Sequence, residues 1–197
     1  MSSPKTDRKC TYADYLNWPD EERWEIIDGV PYDMSPAPST KHQTISMELG
    51  RQFANYLLDK DCQAIIAPFD VRIPAGDEKD EEIKTVVQPD IVVICDRSRL
   101  DKSGYRGAPG LIIEILSPAT GKKDLQEKYR LYERSGVKEY WVVFPSEELL
   151  EVYQLIDDNN LRYVKTGTYQ SNDRISVGIL PELEIDLSLV FTNRTTL

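Results

Sequence analysis

A chain of 197 residues, 40% hydrophobic and 29% charged, has the composition of an ordinary soluble globular protein with a sizeable core. Its net charge of −10 excludes a broad basic footprint for capturing nucleic acid, although it leaves room for a local basic groove. The longest apolar runs, such as 91–95, fall far short of a membrane span, and the first ten residues lack the apolar core of a signal peptide, so the expectation is a cytoplasmic protein without membrane association.

The segment 11–24 reads as a short amphipathic helix with a turn at Trp18-Pro19. Residues 24–34, WEIIDGVPYDM, predict a β-hairpin turning at Asp28-Gly29. A Pro- and Ser-rich loop, SPAPSTKHQ, follows, with Ser39 or Thr40 as the cap of the next helix. That helix runs to about Asp59, since Ile45, Leu49, Phe53 and Tyr56/Leu57 recur at three- to four-residue spacing.

Three strand-like segments come next, at 62–74, 85–96 and 110–118. The charged loop between the first two, DEKDEEIK at 77–84, reads as a solvated linker, and a polar loop with three glycines separates the second from the third. A helix over Lys123 to Ser135 carries Leu125, Tyr129 and Tyr132 on one face and stops at Gly136. EYWVVFP, 139–145, is another buried strand, and the tail from Leu149 to about Asp186 is a meander whose first turn is 157–160. The order helix, three strands, helix, strand implies a mixed sheet flanked by helices. Cys10, Cys62 and Cys95 are odd in number and lack CxxC spacing, which predicts free structural thiols instead of a disulfide framework or a zinc site.

Two acids interrupt otherwise apolar strands, Asp90 in QPDIVVI and Glu114 in LIIEILS, and Asp70 in PFDVRI is a third strand acid. Buried carboxylates must be paired, protonated or bound to a cation. A single Lys or Arg explains one of them; two on consecutive strands can instead converge on a divalent metal, which takes hard oxygen ligands. Ser117 has no GxSxG surroundings, and Ser117-Pro118 reads as the end of a strand.

Pro89-Asp90, followed about two dozen residues later by an acid in an apolar strand, resembles the PD-(D/E)XK nuclease superfamily. The element order is similar to that fold's core. More narrowly, ERWEIIDG, MSPAPSTKHQ, VVQPDIVV, LIIEILSPAT and KYRLYERSGVKEYWVV resemble the Uma family of restriction-endonuclease-like proteins, from about Tyr12 to Leu189. The resemblance implies an α/β (α+β mixed) fold with a restriction-endonuclease-like core at about 39–145. To that core it adds an N-terminal hairpin and a β-meander extension at 146–190, all in one domain spanning 1–197.

It also implies Mg²⁺-dependent hydrolysis of DNA phosphodiester bonds, with Mn²⁺ as a substitute and a homodimer as the working form. Asp90, Glu114 and the Ile115 carbonyl are the implied metal ligands. The motif's lysine position is Leu116, so the implied catalytic lysine is Lys128 in the following helix, a relocation the superfamily tolerates. Lys128 and Tyr132, four residues apart, face one side of that helix. His42 either contacts substrate or water near the metal or serves the loop structurally. Glu25 either reaches the site from outside the core sheet or belongs only to the hairpin, and Asp70 is either a further metal-side acid or a paired structural one. The alternative function is a catalytically inactive nuclease-fold module that binds nucleic acid or protein.

Overall fold

A central six-stranded sheet has the order β12-β11-β10-β9-β6-β3, built from β3 (Gln63–Ile66), β6 (Ile91–Ile94), β9 (Leu111–Ile115), β10 (Glu139–Phe144), β11 (Leu149–Asp157) and β12 (Leu161–Gln170). β9 and β10 are parallel and the other pairs antiparallel, so the sheet is mixed as expected. The computed structural model describes residues 8–19, 22–34, 37–117, 124–158 and 160–192. Parts of several expectations lie outside those residues: residues 1–7 of the N-terminal segment, Asp20 and Glu21 of the first helix, Ser35-Pro36 of the loop, Pro118, Lys123 and Asn159. The side chain of Leu125 lies outside them as well.

The β9 run is apolar because both of its faces are covered. On one face Leu111, Ile113 and Ile115 meet Ile45, Leu49, Phe53 and Leu57 of α2 (Thr40–Leu57). A ribbon of β13 (Arg174–Val177) and β14 (Leu180–Asp186), with α4 (Leu187–Val190), completes that layer through Ile175, Ile185 and Leu187. On the other face Ile112 meets Leu131 and Tyr132 of α3 (Tyr129–Ser135) and Val71, Val87 and Tyr105 of a second sheet. Ser39 caps α2, its Oγ accepting the His42 N–H at 3.2 Å. Gly136 ends α3 at φ +84°, the left-handed conformation that an αL cap requires.

The second sheet, β2-β1-β5-β4-β8-β7, is where the sequence reading needs correction. The hairpin forms as expected, from β1 (Trp24–Ile27) and β2 (Val30–Asp33), with Asp28 and Gly29 both at positive φ. The predicted strand 62–74 is two strands: β3 lies in the central sheet, and β4 (Val71–Arg72) lies in the second. Segment 85–96 divides the same way into β5 (Val86–Val87) and β6. Pro68 and Pro89 sit in the two breaks, where a residue without an N–H cannot continue a ladder.

The three-glycine loop carries two further strands, β7 (Leu100–Asp101) and β8 (Gly104–Arg106). The helix predicted over 11–24 is one turn, α1 (Tyr12–Tyr15). The one over 123–135 enters α3 through a π-type turn, Asp124–Lys128.

The cysteine expectation is overturned: Cys62 and Cys95 form a disulfide, and Cys10 is the buried free thiol. The pairing of Gln63 with Ile94 extends by one residue to set the two sulfur-bearing positions opposite each other. The separation of 33 residues hid that adjacency from a spacing argument. Among the described residues, no helix is long and apolar enough to cross a membrane.

Candidate active site

Strand alternation explains why an acid sits inside β9. Leu111, Ile113 and Ile115 turn to the α2 face, so Glu114 turns with Ile112 to the α3 face. There α3 supplies polar partners. Tyr132 donates its hydroxyl to Glu114 Oε1 at 2.7 Å, and Lys128 Nζ lies 3.0 Å from the same oxygen. The i, i+4 spacing of Lys128 and Tyr132 delivers both to one carboxylate.

Lys128 is buried between two acids, Glu114 and Glu25, the latter at 2.9 Å from Nζ. Glu25 comes from β1, outside the central sheet. It faces inward because it shares a face of β1 with Ile27, two residues on, and Ile27 packs into the same layer as Tyr132. Burial, followed by the negative charge of Glu114 and Glu25, pushes the Tyr132 phenol well above its ordinary value. It therefore remains a donor throughout the neutral range.

Asp90 precedes β6, in the crossing from the second sheet to the central one. The β6–β9 register pairs Ile91 with Ile113, and one further step sets Asp90 opposite Glu114. The Ile115 N–H donates to Asp90 Oδ2 at 2.7 Å, and His42 Nε2 lies 3.2 Å from Oδ1. The other ring nitrogen of His42, Nδ1, is buried and lacks a hydrogen-bond partner among the described residues. The first turn of α2 thus reaches the sheet end from the opposite layer.

The expected residues therefore divide. Asp90, Ile115 and His42 share one set of contacts, and Glu114, Lys128, Tyr132 and Glu25 share another; the two sets adjoin where Ile115 follows Glu114 in β9. Asp70 lies in an adjoining network, its Oδ1 accepting from Tyr15 Oη at 3.0 Å and Gln88 Nε2 at 2.8 Å. Burial raises the Asp70 carboxyl above its usual range despite those donors and nearby Arg72.

Gln88 is the residue the sequence reading passed over. Its backbone N–H donates to Glu25 Oε1 at 2.8 Å while its side chain engages Asp70 and Arg23. Its place immediately before Pro89-Asp90 was the available signal. Leu116 packs against the apolar α3 layer, its N–H donating to the Val143 carbonyl at 2.9 Å.

The donor set suits a small hard cation better than a transition metal. Among the described residues, no three His, Cys, Asp or Glu side chains are arranged to hold a metal ion. A cation bound here would rest on the carboxylates of Asp90 and Glu114, a backbone carbonyl and water. That is how Mg²⁺ is usually held, since it keeps several waters and takes one or two carboxylates. Lys128 sets one positive charge against the two acids it bridges, with Asp90 a third acid on the paired strand.

Residues 12–188 match the family described as "Uma2: Putative restriction endonuclease", which covers nearly the whole chain. The chain belongs to the Uma2 family. An uncharacterized Synechocystis protein is 28% identical over 172 residues, spanning 86% of this chain and 85% of that one. A crystal structure from Anabaena variabilis, described as a putative nuclease belonging to DUF820, superposes with a TM-score of 0.69 at 20% identity. It covers 92% of this chain and 97% of the other. That likeness shows a shared fold. In this Uma2 chain the fold brings the Pro89-Asp90 turn, the β9 acid and the lysine just before α3 to one end of the sheet.

Proposed function

We propose that this chain is a Mg²⁺-dependent endonuclease that hydrolyses phosphodiester bonds in DNA, with Asp90, Glu114 and the Ile115 carbonyl as metal ligands and Lys128 as the catalytic cation. The observation that supports the reading is the place of Asp90 opposite Glu114 in the β6–β9 register, with Lys128 on Glu114 at 3.0 Å. Membership of a family described as restriction endonuclease supports it.

A divalent ion bound there stabilises charge developing on the phosphoryl oxygens and lowers the pKa of bound water. The protein's own residues do the rest. Tyr132 fixes the Glu114 rotamer by donating to Oε1, and the Ile115 N–H and His42 hold the two oxygens of Asp90. Lys128 brings an ammonium to the place where a phosphodiester anion must approach two carboxylates. It offsets their repulsion and orients the attacking water. The lysine that the motif seats on the strand is replaced here by one arriving from the adjoining helix.

The test is nicking of supercoiled plasmid by wild type and Asp90→Ala with Mg²⁺ or Mn²⁺. Wild type is expected to convert supercoiled to open-circular DNA, and D90A to lose that activity by at least about a hundredfold. Equal rates in both would place the cleavage elsewhere. No cleavage by wild type would favour the second reading, a nuclease-fold module that binds without cutting. The apolar packing of Leu116 and the net charge of −10 support that reading. The active form is proposed to be a homodimer, expected to sediment at twice the 22.6 kDa of one chain.

A further inference from the structure

We infer that Glu25 is a positioning residue that holds both Lys128 and the Asp90 turn, which makes the N-terminal hairpin part of the reactive site; the inference rests on the nuclease reading above. One oxygen serves both tasks. Glu25 Oε1 lies 2.9 Å from Lys128 Nζ and accepts the Gln88 N–H at 2.8 Å, two residues before Asp90. The side chain is only 7% exposed, so it is not a solvated hairpin acid. The hairpin itself does not call for it, because Asp28 and Gly29 at positive φ already make the turn.

Lys128 is the residue most in need of such support. A lysine at position 116 would directly follow β9, two residues after Glu114, on backbone held by the bond from its N–H to the Val143 carbonyl. Lys128 instead ends a π-type turn, a local departure from the α-helical ladder, and reaches its acid on a flexible four-carbon arm. Glu114 gives that ammonium one tether, from the central sheet. Glu25, approaching from the second sheet, gives it a second from another direction.

The same oxygen bonds the backbone on which Asp90 is mounted, so the lysine and the aspartate share one reference point. Moving the lysine off the strand thus leaves it held by a residue that lies outside the core sheet.

The experiment compares Glu25→Gln, Glu25→Asp and Lys128→Met in the full chain. E25Q keeps an acceptor for Gln88 but removes the charge. It is expected to lower kcat for plasmid nicking by about a hundredfold with little change in KM. E25D, which keeps the charge on a shorter arm, is expected to recover part of that loss. In a K128M background E25Q is expected to lower kcat no further, because Glu25 acts through the lysine. An equal loss in both backgrounds, or an effect on KM alone, would overturn the inference.

A second readout needs neither metal nor cleavage. The side-chain NMR signals of Lys128 in the metal-free protein should show restricted motion in wild type and averaging in E25Q, with far-UV circular dichroism unchanged. Should wild type fail to cut DNA, the nuclease reading falls. The Lys128 signals alone then decide the positioning: unchanged signals in E25Q overturn it, and averaged signals support it. If E25Q does not fold, E25D is measured against wild type in the same way.

Discussion

Two buried cations in this protein are each clasped by two carboxylates, and they differ in how wet those carboxylates are. Arg72 is 1% exposed and pairs with Asp80 and with Asp101, the latter at 2.6 Å, but the acids themselves are 34% and 47% exposed. Lys128 is 5% exposed, and its partners Glu25 and Glu114 are 7% and 6% exposed. In the Arg72 cluster a planar guanidinium forks to hydrated acids and pins the 77–84 loop to the β7–β8 hairpin, helped by Arg106 on Asp80 at 2.9 Å. That arrangement needs no function beyond holding loops.

In the Lys128 cluster all three charges have left water, and such burial costs more than a simple structural clasp requires. Groups kept at that cost gather at functional sites. The contrast separates a clamp from a site more clearly than the count of ion pairs does.

The largest expected effect therefore follows removal of the dry cation. Lys128→Met leaves two buried acids facing each other and is expected to destabilise the fold by about 3–5 kcal/mol in urea titrations. Its nicking rate should fall by at least about a hundredfold at a temperature where the variant remains folded. A K128M protein as stable as wild type would mean that the acids are rehydrated or protonated once the lysine is gone, and the contrast with Arg72 would collapse.

Tyr132→Phe is the next step down. It takes the 2.7 Å donor from Glu114 while leaving the ring in place, and should cost about 1.5–3 kcal/mol, as for a hydrogen bond to a charged group. Its effect on cleavage is expected in kcat, because Glu114 would lose its fixed rotamer. Arg72→Met is expected to cost less, about 1–2 kcal/mol, since Asp80 and Asp101 can turn to water. It should leave nicking unchanged. A loss of cleavage in R72M without loss of structure would make both clusters part of one machine.

How much of this was readable in the chain depends on which physical signal each feature leaves. β6 and β9 were legible because burial on both faces writes an uninterrupted aliphatic run, and α2 because its buried face repeats at helical spacing. Glu114 was legible as an exception within such a run.

Glu139 shows the limit of that logic. It too is a fully buried strand acid, yet it went unremarked at the start of EYWVVF. Its oxygens accept from Trp141 Nε1 at 2.7 Å and from the Ile179 N–H at 2.9 Å, so it is a structural acceptor in the α2 layer. Only neighbours distant in sequence tell the two acids apart. The same holds for Cys62 with Cys95, and for Gln88, whose importance lies in joining Glu25 to Asp70. The splitting of two predicted strands between sheets was hidden for a related reason. Alternation reads the same whichever sheet a strand enters.

Gln88 links the dry cluster to Asp70, and that link supplies the smallest and most specific test. Burial raises the Asp70 carboxyl above its ordinary 3.8, outweighing donation from Gln88 and Tyr15 and the charge of Arg72. With the folded pKa above the unfolded one, the folded state holds the proton more tightly. Asp70 thus favours folding most at a pH below the unfolded value, and that contribution is lost as pH rises through the folded pKa.

Asp70→Asn keeps an acceptor for both donors and removes the titration. The stability of wild type relative to D70N should therefore decline as pH rises from about 4, then level off once the carboxyl is fully ionised. Urea midpoints measured across that range read the difference directly. A difference that grows with pH would mean that the donors and Arg72 dominate. Asp70 would then behave as a paired acid of the kind found around Arg72, instead of one held against the cost of burial as in the Lys128 cluster.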